Sequence, residues 1–150
     1  MEPVFAYLHF ASILALTGLL AGEFILCNEH LQPGHVRLLA RVDLAYLGAA
    51  VLVLVTGIAR LVWFAKGTGF YLGNPVFHLK LALFVAIGLV SIAPTMQFVR
   101  WNQALREERV RVLSGADIAR ARRFIGLELL LLALVPLTAV LMARGLSPSS

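Results

Sequence analysis

Two histidines lie near the starts of two apolar segments, where they could bind a cofactor metal. His9 lies in the first apolar segment and His78 in the third, two residues before Lys80. Imidazoles at one depth on separate helices of a bundle can ligate haem iron from opposite faces. Cationic side chains toward the same end of the bundle, which could pair with haem propionates, are Arg60, Lys66 and Lys80. We call these five residues the histidine layer.

A structural role is the alternative for the histidine layer. Both imidazoles could bond backbone groups or each other at the membrane interface, and the stem of Lys80 could extend its ammonium toward water. An ionisable side chain at the centre of a membrane segment costs about 2.5 kcal/mol or more, which favours a functional role. The shallow depth of His9 and His78 reduces that cost and keeps both interpretations open.

A second set of polar residues lies toward the opposite end of the apolar segments. His9, Leu16 and Glu23 recur every seven residues, so one face of the first helix carries both polar groups. That face is expected to point into the bundle. For this second set we favour structural ion pairs over a proton path, because the positions between the two layers are apolar. The set, here called the acidic layer, comprises Glu23, Arg41, Asp43, Arg100 and Glu128.

Other chemistries find little support in the residue types. The single cysteine, Cys27, excludes an internal disulfide and a Cys-rich metal site. Only three methionines are present, too few for a copper pathway of thioether ligands. The Gly-rich stretch 66–75 lacks the strand and Lys-Ser/Thr context of a phosphate-binding loop. No nucleophile stands beside a base and an acid as hydrolysis would require.

Composition assigns the chain to the membrane. Of its 150 residues, 60% are hydrophobic and 14% charged, and the mean hydropathy is +0.87. Crossings of about 20 residues each leave room for a few helices and no soluble domain. The +5 net charge comes from loops beside apolar segments, so nucleic acid is not a partner. We therefore predict an all-α integral membrane four-helix bundle, with residues 1–150 forming a single domain.

The helix limits follow from hydropathy and from Gly and Pro positions. We predict helices over about 3–27, 42–65, 75–101 and 119–143, and an extension of the third into solvent to about 113. Asn74-Pro75 is typical of a helix start, and Ser114 with Asp117 resembles a capping box. Tyr46 and Trp63 are interpreted as interfacial aromatic residues.

The basic residues predict the orientation. By the positive-inside rule, the connections richest in Lys and Arg face the cytoplasm. This places both termini outside a bacterial inner membrane that the chain crosses several times. The residues that carry the bias are Arg37 and Arg41 in the first connection, and Arg100, Arg106, Arg109, Arg111, Arg120, Arg122 and Arg123 in or beside the third.

Several short motifs resemble a bacterial membrane family. They are RVDLAY at 41–46, TGIAR at 56–60, KG at 66–67, YLGNP at 71–75, KLALF at 80–84, SIAPT at 91–95 and RW at 100–101. The family is a four-helix inner-membrane family catalogued as a domain of unknown function. The resemblance covers nearly the whole chain and implies its fold without an activity.

A more distant resemblance is to the copper-resistance protein D-like superfamily, which includes haem-binding protoporphyrinogen oxidases. Those proteins carry a histidine in the first helix and a His-x-Lys pattern in a later one, similar to His9 and to His78 with Lys80. The resemblance implies a haem ligand at His9 and a functional role for Lys80. The flanking motifs of the oxidases are not evident in this chain.

Two hypotheses from different classes follow. The first is a b-type haem protein, with haem b held by His9 and His78, that passes electrons between a quinone or porphyrin and a redox partner. The second is a non-catalytic membrane protein, either an ion or metal permease component or an assembly scaffold. The lipid bilayer is a partner in both, and a second copy of the chain is a candidate partner.

Overall fold

The computed structural model of the chain describes residues 1–64, 69, 72–107 and 113–144. Within these residues the chain is helical and has no strand, which confirms the predicted all-α class. Four of the helices are long and apolar enough to cross a membrane, as the hydropathy predicts. They are α1 (Glu2–Leu26), α2 (Pro33–Ala59), α3 (Pro75–Arg106) and α4 (Gly115–Ala143), and a π-helical segment, Arg60–Phe64, continues α2.

The helices form a bundle in which each packs against its neighbours along the chain. The closest pairs are α1 with α2 and α3 with α4, while α2 also contacts α3 and α1 contacts α4. Short connections between long helices produce this antiparallel order. Large side chains such as Phe98 and Trp101 fill the centre. Many exposed residues are large and apolar, including Leu14 and Leu130, because lipid rather than water covers them.

Two of the helix starts differ from the prediction. The second helix begins at Pro33, well before the predicted start near residue 42, because proline suits the first turn and Val36 and Leu39 are buried against the core. The fourth begins at Gly115 rather than near 119. Because polar residues occur in these first turns, hydropathy alone assigns the turns to the connections.

Side chains cap the starts of the third and fourth helices. The side chain of Asn74 accepts a hydrogen bond of 2.9 Å from the backbone N–H of Val76. The Ser114 hydroxyl accepts one of 3.1 Å from the backbone N–H of Asp117. The helical structure of α3 continues to Arg106, and most of the predicted solvent extension, residues 108–112, lies outside the described residues.

One arginine of α4 caps the end of α1. The Nη1 atom of Arg122 donates hydrogen bonds of 3.0 Å to the carbonyls of Phe24 and Cys27. Its guanidinium also lies 4.0 Å from the centre of the Phe24 ring. The last carbonyls of a helix have no intrahelical donor, and the negative end of the helix dipole attracts a cation there. Arg122 therefore joins α1 to α4 as well as adding positive charge.

The only cysteine lies at the same junction. Cys27 is buried, and its Sγ lies 3.8 Å from the carbonyl oxygen of Ile118 at the start of α4. Burial raises the pKa of the Cys27 thiol to about 11, although Arg122 opposes the shift. A thiol with such a pKa is almost entirely protonated at neutral pH and is a poor nucleophile. Its role is packing.

Candidate functional site

Three acidic residues from three helices are buried in the acidic layer. Glu23 comes from α1, Asp43 from α2 and Glu128 from α4, and the two glutamates are each only 1% exposed. Asp43 lies about 15 Å along α2 from its first residue, at about 1.5 Å per residue. Asp43 and Glu128 both act electrostatically on Glu23, so the groups are neighbours. We call Glu23, Asp43 and Glu128 the carboxyl cluster.

Neutral hydroxyl groups are the hydrogen-bond partners of this cluster. The Tyr46 hydroxyl donates to Oε2 of Glu128 over 2.9 Å, and the Thr95 hydroxyl donates to Oδ1 of Asp43 over 3.0 Å. The Oε1 atoms of Glu23 and Glu128 are buried and have no hydrogen-bond partner among the described residues. A carboxyl group in this position lacks the bonds that would stabilise a full negative charge.

The predicted ion pairs are not the contacts that these acids make. Arg41 and Arg100 are exposed, and no Lys or Arg pairs with the three carboxyl groups among the described residues. Arginine has a long stem that carries its guanidinium to the edge of the bundle, where water and headgroups solvate it. The two basic residues share the depth of the acids, but their side chains point outward.

Tyr46 is the member of the site that sequence reasoning assigned to the wrong environment. It is buried to 2% exposure inside the bundle instead of lying at the membrane interface. Its position three residues after Asp43 places both side chains on one face of α2. That spacing next to an intramembrane acid was a usable signal. Thr95, on α3, carried no comparable signal.

An apolar cavity lies beside the hydroxyl partners of the cluster. Its volume is about 270 Å³, and it opens between α2 and α3. Leu16 of α1, Tyr46 of α2 and Thr95 of α3 are among the residues that line it. Since these two side chains also bond Glu128 and Asp43, the cavity and the carboxyl cluster share a wall.

In the histidine layer, His9 is buried against α2. Its Nδ1 atom lies 2.9 Å from Oγ1 of Thr56, which itself donates to the carbonyl of Leu52 over 2.7 Å. Thr56 therefore links the imidazole of His9 to the backbone of α2. A Cβ at position 57 would lie 3.2 Å from Cε1 of His9, so a glycine at that position lets the ring pack against α2. The structure buries the face of α1 that the seven-residue spacing predicts.

The other members of this layer have separate surroundings. His78 is exposed, and its Nε2 donates to the carbonyl of Leu72 over 2.7 Å. No ring contact or hydrogen bond joins the two imidazoles in the described part of the chain. Lys80 and Arg60 are close enough to act electrostatically on His9, and the Arg60 guanidinium lies 5.8 Å from the centre of the Phe10 ring. Lys66 lies outside the described residues.

Comparison with known families agrees with this architecture. Residues 1–147 match the family described as Predicted membrane protein (DUF2214). The chain belongs to this family. No curated protein and no solved structure matches the chain. Membership in DUF2214 accounts for the membrane-spanning bundle and for contact with the lipid bilayer, and it assigns no reaction to either polar layer.

Among the described residues of this DUF2214 protein, no group of three or more His, Cys, Asp and Glu side chains is arranged to hold a metal ion. The carboxyl cluster is thus a set of neighbouring acids that contact neutral hydroxyls. In the histidine layer, the imidazoles of His9 and His78 lie in separate surroundings.

Proposed function

We propose that this membrane protein takes up and releases protons at its carboxyl cluster, as a component of an ion permease would. The observation that supports the proposal is the burial of Glu23 and Glu128, for which the described residues provide no paired Lys or Arg and no hydrogen-bond partner for one carboxyl oxygen of each. Acidic residues inside membrane segments are rare and are typical of proton and ion pathways.

Three negative charges in the carboxyl cluster would be energetically unfavourable. An ionised carboxylate in an apolar interior costs several kcal/mol unless it is paired. Neighbouring like charges add to that cost. Binding a proton removes the charge of a carboxylate, so protonation can offset this cost in place of a counter-ion. The partners Tyr46 and Thr95 are hydroxyls, which hydrogen-bond a carboxyl group in either protonation state.

Infrared spectroscopy of Glu128→Gln tests the proposal. In lipid-reconstituted protein we expect a carbonyl absorption from protonated carboxyl groups at acid pH that decreases reversibly as the pH is raised. Because Gln is close in size to Glu and cannot ionise, part of this titrating absorption should be absent from Glu128→Gln. The matched control is Glu29→Gln, which changes an exposed acid in the first connection and should leave the buried-carboxyl signal intact.

The alternative of an assembly scaffold predicts a different spectrum. Charged acids held in ion pairs would show no protonated-carboxyl absorption at neutral pH, and acids that stay protonated at every pH would show one that never titrates. Either result would contradict proton exchange. The variant proteins should first elute from size-exclusion chromatography as the wild type does, so that a lost signal is not caused by unfolding.

We also propose that the protein lies in a bacterial inner membrane. The excess of Lys and Arg in the first and third connections supports a bacterial inner-membrane orientation with both termini outside. In that orientation the carboxyl cluster lies toward the cytoplasmic half of the bundle. Cysteines introduced near Met1 and in the first connection should then react with a membrane-impermeant maleimide from opposite sides of sealed vesicles.

Haem binding is the second candidate, and His9 is the residue that favours it. A metal-bound imidazole commonly donates its other ring N–H to a protein oxygen, and Nδ1 of His9 lies at a hydrogen-bond distance of 2.9 Å from the Thr56 hydroxyl. Its Nε2 is the nitrogen that would face the iron, and Arg60 and Lys80 are cations near enough to meet propionates. Bound haem b would supply one-electron redox chemistry. His78 is exposed and makes no contact with His9 in the described part of the chain, so His9 is the histidine on which this candidate rests.

Absorption spectroscopy separates this candidate from the first. Protein purified from haem-replete cells is expected to show a Soret band that sharpens on reduction with dithionite and is lost in His9→Ala. The control His30→Ala removes an exposed imidazole and should retain the band. His78→Ala reports whether the second imidazole is a ligand. Colourless, folded wild-type protein would contradict haem binding and leave the carboxyl-cluster proposal standing.

A further inference from the structure

The cavity between α2 and α3 has an almost wholly apolar wall, and the hydroxyl-bearing residues among those that line it are Tyr46, Ser91 and Thr95. Its apolar lining includes Leu47, Ala50, Phe84 and Ile87, and its volume is about 270 Å³. A dry engineered cavity of about 150 Å³ is enough to bind benzene, so this one has room for a substituted single ring. The opening between the helices faces the lipid, because neighbouring Ile92 and Met96 are exposed on the apolar surface.

The hydroxyl groups that border the cavity all donate their protons to the protein. Tyr46 donates to Glu128, Thr95 donates to Asp43, and Ser91 donates to the carbonyl of Gly88 over 2.7 Å. A hydroxyl whose proton is engaged can still accept through its oxygen. Among the described residues that line the cavity, the hydroxyl groups therefore offer acceptor oxygens and no free donor.

We propose that this cavity binds a lipid-soluble ring compound bearing a hydroxyl group, such as a phenol or quinol, which donates a hydrogen bond to Thr95 or Tyr46. A ligand hydroxyl can donate to these acceptor oxygens. A ring compound with only acceptors, such as a quinone or an ether, could not form this hydrogen bond. The apolar wall holds the ring, and the ligand hydroxyl lies one hydrogen bond away from a group bonded to the carboxyl cluster. The ligand class rests on the proposed function in that the cluster must keep accepting these hydroxyl protons.

Fluorine NMR with two matched probes tests the site. Protein in lipid nanodiscs is titrated with 4-fluorophenol, which carries a donor, and with 4-fluoroanisole, which does not. We expect a saturable shift for 4-fluorophenol and binding about tenfold weaker for 4-fluoroanisole, the size of effect expected for one buried hydrogen bond. Empty nanodiscs correct for partition into lipid.

Two variants and a control locate the binding. Gly88→Leu places a side chain at the cavity where an added Cβ meets no atom within 4 Å, and it should abolish saturable binding of both probes. Gly48→Leu, on α2, is equally unhindered but does not line the cavity and should bind as the wild type. Thr95→Val keeps the shape and removes the hydroxyl, so the tenfold preference for 4-fluorophenol should fall to about threefold or less.

Several outcomes would overturn this inference. Equal affinity for the two probes would show an apolar cavity without polar selection, and no saturable binding of either would show that lipid chains occupy it. Binding that survives in Gly88→Leu would place the probes elsewhere. None of these results alters the infrared titration of the carboxyl cluster in the absence of probe, so failure here is distinguishable from failure of the proton-exchange proposal.

Discussion

Substitution of Glu23 by methionine is expected to stabilise the protein. Glu23 is 1% exposed, and its Oε1 has no hydrogen-bond partner in the part of the chain that the structure describes, so the wild type bears the cost of burying that group. Methionine is unbranched, of similar length, and apolar. Removing an unsatisfied buried polar group should raise the free energy of unfolding by about 1–3 kcal/mol. The measurement is the midpoint of unfolding in detergent micelles as the fraction of sodium dodecyl sulfate increases.

Whether Glu23→Met raises or lowers the stability distinguishes an unpaired buried Glu23 from one held in an ion pair. A glutamate held in an ion pair, as the sequence predicts, would lower stability on replacement by about 3–5 kcal/mol, because its basic partner would lose its counter-charge. Destabilisation of Glu23→Met on that scale would therefore reject an unpaired cluster. The control Glu29→Met changes an exposed acid in a connection and should alter stability by no more than about 0.5 kcal/mol.

Greater stability of Glu23→Met should accompany a loss of function. Sites that need buried, incompletely bonded groups commonly reduce the stability of the fold, and removing those groups stabilises the protein at the expense of activity. The titrating infrared signal should therefore decrease in Glu23→Met even though the protein unfolds later. If Glu23 were only structural, its replacement would not raise stability while reducing the titrating infrared signal.

Substitution of Arg122 by glutamine is expected to have the opposite effect. The guanidinium donates to the carbonyls of Phe24 and Cys27, and these carbonyls lie at the buried end of α1. Hydrogen bonds to a charged group contribute about 1.5–3 kcal/mol each, so the loss of both should lower the free energy of unfolding by about 3 kcal/mol. The same dodecyl sulfate titration reports the change.

Neighbouring arginines provide the control for Arg122. Arg123→Gln removes the same charge from an exposed position one residue later and should have little effect on stability. Arg122→Lys keeps the charge but not the planar donor geometry, and an intermediate stability is expected. Equal stabilities for Arg122→Gln and Arg123→Gln would mean that Arg122 acts through charge alone.

The membrane helices could be predicted from hydropathy because the signal is local. A segment of about 20 apolar residues must satisfy its own backbone hydrogen bonds in lipid, and a helix does so without knowledge of its neighbours. The same local character explains the errors. Pro33 to Arg41 forms the first turns of α2, but polar and charged residues interrupt its apolar positions, so hydropathy assigned it to a connection.

Only part of the candidate site could be predicted from the sequence. The seven-residue spacing of His9 and Glu23 predicted a buried face, because helical periodicity relates residues of one helix. It did not predict which residues of different helices meet. Glu128 contacts Tyr46 and Asp43 contacts Thr95, whereas Arg41 and Arg100, at similar depth, are exposed. The rotation of each helix about its own axis decides these partners.

The amino-acid sequence by itself determined that this DUF2214 protein is a helical membrane bundle with polar residues in two layers, since length and hydropathy act residue by residue. Only the tertiary structure decided that the acids meet neutral hydroxyls, that His9 turns to Thr56, and that a cavity adjoins Tyr46 and Thr95. The physical reason is that depth follows from position along a helix, whereas contact between helices depends on their packing.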